Sequence, residues 1–355
     1  MIDGHGDDGW KYGATIRADF SSNVVYGGLD AGLREQLRGV IDAVTHYPEA
    51  GALSLQTAAA AAYGVSVDSA LVTNGATEAI YLIAQAFRER RATIVGPTFA
   101  EYGDACALQG IEVRQAGWEE LRIASGLELR SALRVESPVA RPGGLVFICN
   151  PNNPTGQALG AEELLGVVDA WPGTVFAVDE SYIEFSLAAD SLIAAGRPNV
   201  LVLRSLTKSC RIPGLRVGFV TGPPELVARV AACKMPWSVN RLAIEAGLYI
   251  FRHREEFAVP VESLLAATAR WRRELAEVTG WRVWATDTHY FLMETPSAFS
   301  AAKLKAHLVT RYGLLIRDAV NFKGLGPQHF RLACQAPEQN ELLTEALREC
   351  SRAGI

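Results

Sequence analysis

The stretch Gly144-Leu145-Val146-Phe147-Ile148-Cys149-Asn150-Pro151-Asn152-Asn153-Pro154-Thr155-Gly156 decides the fold. Leu145 to Ile148 do not alternate with polar residues, so this strand is read as buried on both faces, within a sheet covered by helices above and below. The two Asn-Pro pairs and Gly156 end it abruptly. Outward from it the same unit recurs: β-rich runs at Val72-Thr73, Ala92 to Val95, Glu112-Val113, Val175 to Asp179, Val200 to Leu203 and Val217 to Val220 alternate with amphipathic stretches such as Glu78 to Arg90 and Glu162 to Ala170. Repeated crossovers of this kind build an α/β domain around a mostly parallel, seven-stranded sheet set between helices. After Val239 the pattern changes to a helical region from Asn240 to Thr279, then Trp281 to Glu294, a helix from Ser300 to Tyr312, Gly313 to Arg317, and Phe330 to Ala333. Strands and helices interspersed like this predict a smaller α+β domain. The expected division is 45–245 for the large domain, with 1–44 and 246–355 forming the small one that closes over it.

The rest of the composition narrows the function. The chain has 355 residues, 34 basic against 39 acidic, a formal net charge of −5, and is 49% hydrophobic and 21% charged. A chain of this size buries a full core without staples. An acidic balance argues against nucleic acid as a partner, since that affinity comes largely from basic residues. No apolar run reaches the ~18 residues that would suggest a membrane span, and Met1-Ile2-Asp3-Gly4-His5 does not open a signal peptide. The six cysteines are scattered, with no Cys-x-x-Cys or paired His spacing, so no metal site is expected. The expectation is a cytoplasmic protein with free thiols.

Four strand-end motifs carry the chemistry. In Arg204-Ser205-Leu206-Thr207-Lys208-Ser209-Cys210-Arg211-Ile212-Pro213-Gly214-Leu215-Arg216 an amine and a guanidinium meet at the edge where open α/β sheets bind ligands. Small polar and apolar neighbours around Lys208 predict desolvation, which lowers an amine's pKa and frees it as a nucleophile. Asn153, within the stretch quoted first, has an amide side chain fixed at the strand end by the Asn-Pro turn, where it could donate to a ring oxygen. Asp179, in Val178-Asp179-Glu180-Ser181-Tyr182, would keep a cationic nitrogen protonated if buried beside one. Thr73-Asn74-Gly75-Ala76-Thr77-Glu78 leads into a helix whose first amides make an anion site, with Gly75 permitting close approach. Each motif alone has a plainer reading as a turn, cap or surface lysine. Together they supply a lysine for a Schiff base, an aspartate for a pyridinium nitrogen and amides with an arginine for a phosphate, the parts that hold pyridoxal 5′-phosphate.

On these motifs the chain resembles the fold-type I, aspartate-aminotransferase-like pyridoxal-phosphate enzymes over nearly its whole length. The resemblance implies Lys208 of Ser-x-x-Lys as the Schiff-base lysine. It implies Ser205, Arg216, Gly75, Ala76 and Thr77 around the cofactor phosphate, Asp179 on the ring nitrogen, and Asn153 with Tyr182 on the ring hydroxyl. Tyr102, in Phe99-Ala100-Glu101-Tyr102, matches the aromatic that stacks on the ring, its plainer reading being a core tyrosine. Tyr47, in His46-Tyr47-Pro48-Glu49, resembles the tyrosine that reaches the neighbouring subunit's phosphate, which implies a homodimer with shared active sites.

Within that family the chain looks most like the threonine-phosphate decarboxylases of cobalamin biosynthesis, which are similar to histidinol-phosphate aminotransferases. The likeness runs through Phe99 to Gly103, Met235 to Asn240, Leu315 to Phe322, Phe330 to Ala333 and the opening His5-Gly6 and Asp19 to Asn23; the relatives' Ile-Asn-Pro after that last segment is here Val24-Val25-Tyr26. It implies decarboxylation of L-threonine O-3-phosphate to (R)-1-aminopropan-2-yl phosphate, with transamination of histidinol phosphate or a related amino acid as the alternative. A substrate carrying carboxylate and phosphate needs cationic subsites, for which Arg317 and Arg331 are the candidates, with His5, Gly6, Asn23 and Asn153 adding hydrogen bonds. The sequence does not assign either arginine to either anion, and Arg317 has a plainer reading as the partner of Asp318 or another carboxylate.

Overall fold

The computed structural model describes residues 5–125, 139–140, 142–296 and 299–354. In chain order a short strand β1 (Ala18–Asp19) precedes β2 (Ala70–Thr73), β3 (Ala92–Gly96), β4 (Val113–Gly117), β5 (Leu145–Cys149), β6 (Val175–Asp179), β7 (Val200–Ser205) and β8 (Gly218–Thr221). The last seven form one sheet in the order β2-β8-β7-β6-β5-β3-β4, in which β8 runs against β2 and β7 while the other neighbouring pairs are parallel. This is the aspartate-aminotransferase-like arrangement expected from the sequence.

The apolar runs of β5 to β7 serve both faces. Leu145, Phe147, Ala177, Leu201 and Leu203 pack against Ile80 and Ile83 of the helix Gly75–Ala86. Their neighbours Val146, Ile148, Phe176, Val178, Val200 and Val202 pack on the other side with Leu164, Val167 and Val168 of the helix Ala161–Ala170. Successive residues point to opposite faces of a strand, so covering both faces demands an uninterrupted apolar run.

The C-terminal part holds β9 (Arg282–Val283), β10 (Tyr290–Glu294), β11 (Leu314–Leu315), β12 (Arg317–Asp318) and β13 (His329–Ala333). Four of these make an antiparallel sheet, β12-β13-β10-β9, while β11 pairs in parallel with β1. Phe20, Trp271, Phe291, Leu304, Phe330 and Leu347 meet in its core. Leu33, on the helix Ala31–Gly39, instead joins Leu55, Ala243 and Ile244 beside the large sheet. Among the described residues no helix is long and apolar enough to cross a membrane.

Several boundaries differ from the sequence reading. The helical region from Asn240 to Thr279 is two helices, Arg241–Arg252 and Val261–Thr279. Between them lie the 3-10 turn Arg254–Phe257 and Pro260, which immediately precedes the second helix and disfavours helical geometry at Val259. Gly313 to Arg317 is not one strand: β11 and β12 belong to different sheets, with Ile316 between them. The helix expected from Glu78 to Arg90 runs from Gly75 to Ala86, and β4 begins after Glu112.

Candidate active site

At the C-terminal ends of the parallel strands lies a cavity of about 630 Å³. Lys208, Asp179, Tyr102, Asn153, Tyr182, Ser205, Arg216, Ala76 and Thr77 line it, together with His5, Gly6, Asn23, Arg317 and Arg331. Strand ends deliver most of these side chains: Asn153 follows β5, Asp179 ends β6, and Ser205 ends β7 with Lys208 three residues on. Parallel strands all finish on one edge, so residues distant in sequence converge there.

On the floor of the cavity Asp179 is buried and accepts from the Tyr102 hydroxyl at 2.7 Å and the Ser181 amide at 2.9 Å. Burial pushes its carboxyl up, against those hydrogen bonds. Tyr102 stacks on Phe147 with ring centroids 5.4 Å apart and lines the cavity. Lys208 is half-buried, and its amine is pulled down to about 8 by burial and by the positive Arg331 and Arg216. A neutral amine is therefore accessible near physiological pH.

Beside the lysine, Arg216 takes a left-handed backbone conformation (φ +59°) and donates to the Pro213 carbonyl at 3.0 Å. Its guanidinium passes so close to Gly75 (φ +74°) that a Cβ there would lie 2.5 Å from Nη2. Any larger residue at position 75 would displace the arginine from the first turn of the helix Gly75–Ala86. Ser205 Oγ lies 2.7 Å from Thr207 Oγ1, a second hydroxyl at the same corner.

The opposite wall is cationic. Arg317 on β12 and Arg331 on β13 are direct cross-strand partners, both 4% exposed. Arg331 donates through Nη1 to the Asn153 side-chain oxygen and through Nη2 to the Ser21 carbonyl, and among the described residues its Nε has no hydrogen-bond partner. Arg317 donates to the Asp318 carbonyl at 2.5 Å and to the Asn321 side chain at 2.6 Å. The alternative pairing of Arg317 with the Asp318 carboxylate is therefore replaced by a bond to that residue's backbone. Burial and the adjacent Arg331 pull Arg317 down to about 9, still charged at neutral pH.

Among the described residues, none of Lys208, Arg216, Arg317 and Arg331 has a carboxylate within ion-pair distance. Both atoms of the buried Asn23 amide also lack hydrogen-bond partners. A cavity with uncompensated cations at two corners and a buried carboxylate lacking a cation matches a ligand with two anionic ends and a cationic ring nitrogen between them. The residues present thus fit pyridoxal 5′-phosphate together with an anionic substrate.

Two expected residues lie off the cavity surface. Gly75 acts behind it, through Arg216. Tyr47 is 82% exposed, outside the cavity of its own chain, with its ring 5.5 Å from that of Trp237. The sequence reading missed Thr207, Tyr81, Glu101 and Phe322, all of which line the cavity. Thr207 and Glu101 sit inside motifs quoted above, and Tyr81 follows Thr77 by one helical turn, so it shares a face with it.

The model of the aminotransferase class I and II family matches residues 18–349. A threonine-phosphate decarboxylase from Salmonella typhimurium is 34% identical over 343 residues, covering 93% of this chain and 90% of that protein. A histidinol-phosphate aminotransferase from Desulfitobacterium hafniense is 30% identical, covering 90% and 87%. The crystal structure of an L-threonine-O-3-phosphate decarboxylase from Porphyromonas gingivalis superposes with a TM-score of 0.84 at 35% identity, covering 93% of this chain and 98% of its own.

Proposed function

The chain belongs to the aminotransferase class I and II family, and we propose that within it the protein is a lyase that decarboxylates L-threonine O-3-phosphate to (R)-1-aminopropan-2-yl phosphate for cobalamin biosynthesis. Its cofactor is pyridoxal 5′-phosphate, which supplies an electron sink for the bond broken at the substrate's Cα.

The observation that carries the reading is the cross-strand pair Arg317 and Arg331. Side chains directly opposite on adjacent strands point the same way, and like charges there repel. Two buried guanidiniums side by side are stabilised by one ligand group of high negative charge, and a phosphate dianion fits this better than a carboxylate. Committing both arginines to the phosphate leaves the α-carboxylate without a cation to hold it. A cation on the α-carboxylate would stabilise the ground state more than a transition state in which that charge is leaving the group, so an unpaired carboxylate favours loss of carbon dioxide. The 34% and 35% identity to threonine-phosphate decarboxylases supports the same substrate.

The remaining roles follow from the site. Lys208 would hold the cofactor and then return a proton to Cα, which its depressed amine suits. Asp179, oriented by Tyr102 and Ser181, would keep the ring nitrogen protonated. Because the Asn153 oxygen is taken by Arg331, its N–H2 is the end left for the ring oxygen, beside Tyr182. Ser205, Arg216 and the amides of Ala76 and Thr77 would hold the cofactor phosphate, and the ring of Tyr102 would bound the ring site. Asn23, Gly6 and His5 would close over the substrate's distal end.

The protein would act as a homodimer in the cytoplasm. Ile41, Val44, Tyr47, Leu53, Met235 and Trp237 are exposed large hydrophobics joined through the Tyr47–Trp237 contact and a Trp237 N–H to Ala50 carbonyl bond of 3.0 Å, a surface suited to a second copy. The six free thiols suit a reducing compartment.

Transamination of histidinol phosphate is the second reading, favoured by the 30% identical aminotransferase. The purified holoenzyme incubated with L-threonine O-3-phosphate is expected to release carbon dioxide without any oxo-acid acceptor. No release, with turnover of histidinol phosphate that requires 2-oxoglutarate, would assign the aminotransferase activity instead.

A further inference from the structure

Two cavity residues that the reading above does not use, Glu101 and Tyr81, hold the His5 that it does. Glu101, the first residue of the helix Glu101–Leu108, is 2% exposed and lines the cavity. Its two oxygens are divided between two partners: Oε1 lies 3.0 Å from His5 Nε2, and Oε2 accepts from the Tyr81 hydroxyl at 2.7 Å. These contacts, led by the one from His5, hold the Glu101 carboxyl below its usual range despite burial. His5 belongs to a strap, residues 5–8, that crosses from the other side of the cavity. There the Asp7 amide donates to Ser21 Oγ at 2.7 Å, and the buried Asp8 carboxylate meets Lys305 Nζ at 2.6 Å. A Cβ on Gly6 would lie 2.4 Å from the Ser21 carbonyl oxygen, so the strap is pressed against the Ser21–Asn23 wall.

We propose that Glu101 is a positioning residue: steadied by Tyr81, it accepts from Nε2–H of His5 and so holds the imidazole across the cavity with Nδ1, which donates when both ring nitrogens carry protons, facing the anionic end of the substrate. The inference rests on the reading of the cavity as the site of a phosphorylated amino acid. An acid that only capped its helix would not require a partner from a segment about a hundred positions away, nor a tyrosine on its second oxygen. Ser21 and Lys305 fix the strap beside the C-terminal strands, and Glu101 fixes it to the helix beside the central sheet. With both attachments made, the half-exposed His5 ring has one orientation when the ligand arrives, and less freedom to lose on binding.

The test uses holoenzyme carrying Glu101→Ala, Glu101→Gln, His5→Ala and the double substitution His5→Ala/Glu101→Ala. Inorganic phosphate binding is measured by calorimetry, and KM and kcat with threonine phosphate, or with histidinol phosphate if that is the substrate turned over. Loss of one oriented contact to a charged group predicts that Glu101→Ala weakens phosphate binding and raises KM by about tenfold, while kcat falls by less than about threefold. Glu101→Gln keeps an accepting oxygen and is expected to lose about threefold; it carries the test if the alanine variant fails to fold. Because Glu101 acts through His5, adding Glu101→Ala to His5→Ala should change affinity by less than about twofold. A full Glu101→Ala effect in the His5→Ala background, or none in the unsubstituted background, would overturn the positioning role alone. Absence of phosphate binding by the unsubstituted holoenzyme would overturn the substrate reading and this inference together.

Discussion

Arg204 and the pair Arg317 and Arg331 are buried to nearly the same degree, at 6% and 4% exposed, yet their surroundings are opposite in kind. Arg204, on β7, sits between two carboxylates: Nη1 lies 3.2 Å from Glu180 Oε2, and Nη2 contacts Glu184 and the Tyr63 hydroxyl. Burial pulls its pKa down, but Glu184, Tyr63 and Glu180 outweigh that and raise it. Arg317 and Arg331 face each other with carbonyls and amide side chains as partners, and burial lowers both. A compensated buried arginine is part of the scaffold, whereas an uncompensated one is a receptor for charge that arrives from outside.

The largest effect expected from this contrast is on stability. Arg204→Ala leaves the buried Glu180 carboxylate without its cation and should cost about 3–5 kcal/mol in urea unfolding. A loss below about 1 kcal/mol would mean that Arg204 is as uncompensated as the other two.

Arg317→Met should do the reverse. Removing one of two repelling guanidiniums is expected to leave stability within about 1 kcal/mol, since apolar replacement of a poorly compensated buried charge is often neutral. Meanwhile kcat/KM with the phosphorylated substrate should fall by roughly 100-fold, the scale of a lost charge-assisted contact. Unfolding on the scale of Arg204→Ala with unchanged kcat/KM would reverse the assignment.

A third effect is read in pH and concerns Lys208, which shares the uncompensated field. Its folded-state pKa of about 8 lies below the ~10.4 of an unfolded lysine. Between these values the unfolded chain binds a proton that the folded chain has released, so the cofactor-free protein gains stability as pH rises from about 8 to ~10.4. Lys208→Met should lack that gain, visible as unfolding free energies of the two proteins that draw apart across the window. Parallel curves would show that the amine is not depressed.

How much of this could be read in advance depended on whether a feature is local. Lys208, Asp179 and Asn153 were legible because each closes an apolar strand, and parallel strands bring their ends together. The two-sided burial of β5 was legible for the same reason, in Leu145 to Ile148. The contact between Glu101 and His5 was not, because nothing in either segment records its distance from the other. The cross-strand register of Arg317 with Arg331 was hidden too, since it depends on Gly313 to Arg317 breaking into two strands that join different sheets. Pro260 was a visible stop that the long apolar periodicity on both sides of it obscured. Tyr47 shows a further limit: it lies outside its own chain's cavity, and a role in a neighbour's site concerns a surface between copies.

The bond from Arg331 to the Ser21 carbonyl spans 310 positions, and the ion pair from Lys305 to Asp8 spans 297. During synthesis at about 5–20 residues per second, Asp8 and Ser21 would emerge roughly 15 to 60 s before the Lys305 and Arg331 that hold them. Throughout that interval the central sheet can assemble from neighbouring βα units, while residues 5–20 await their C-terminal partners. Completion of the substrate wall is thus tied to the arrival of β13, and a nascent chain cut short between Arg216 and β13 would carry the residues of the cofactor corner without a closed site.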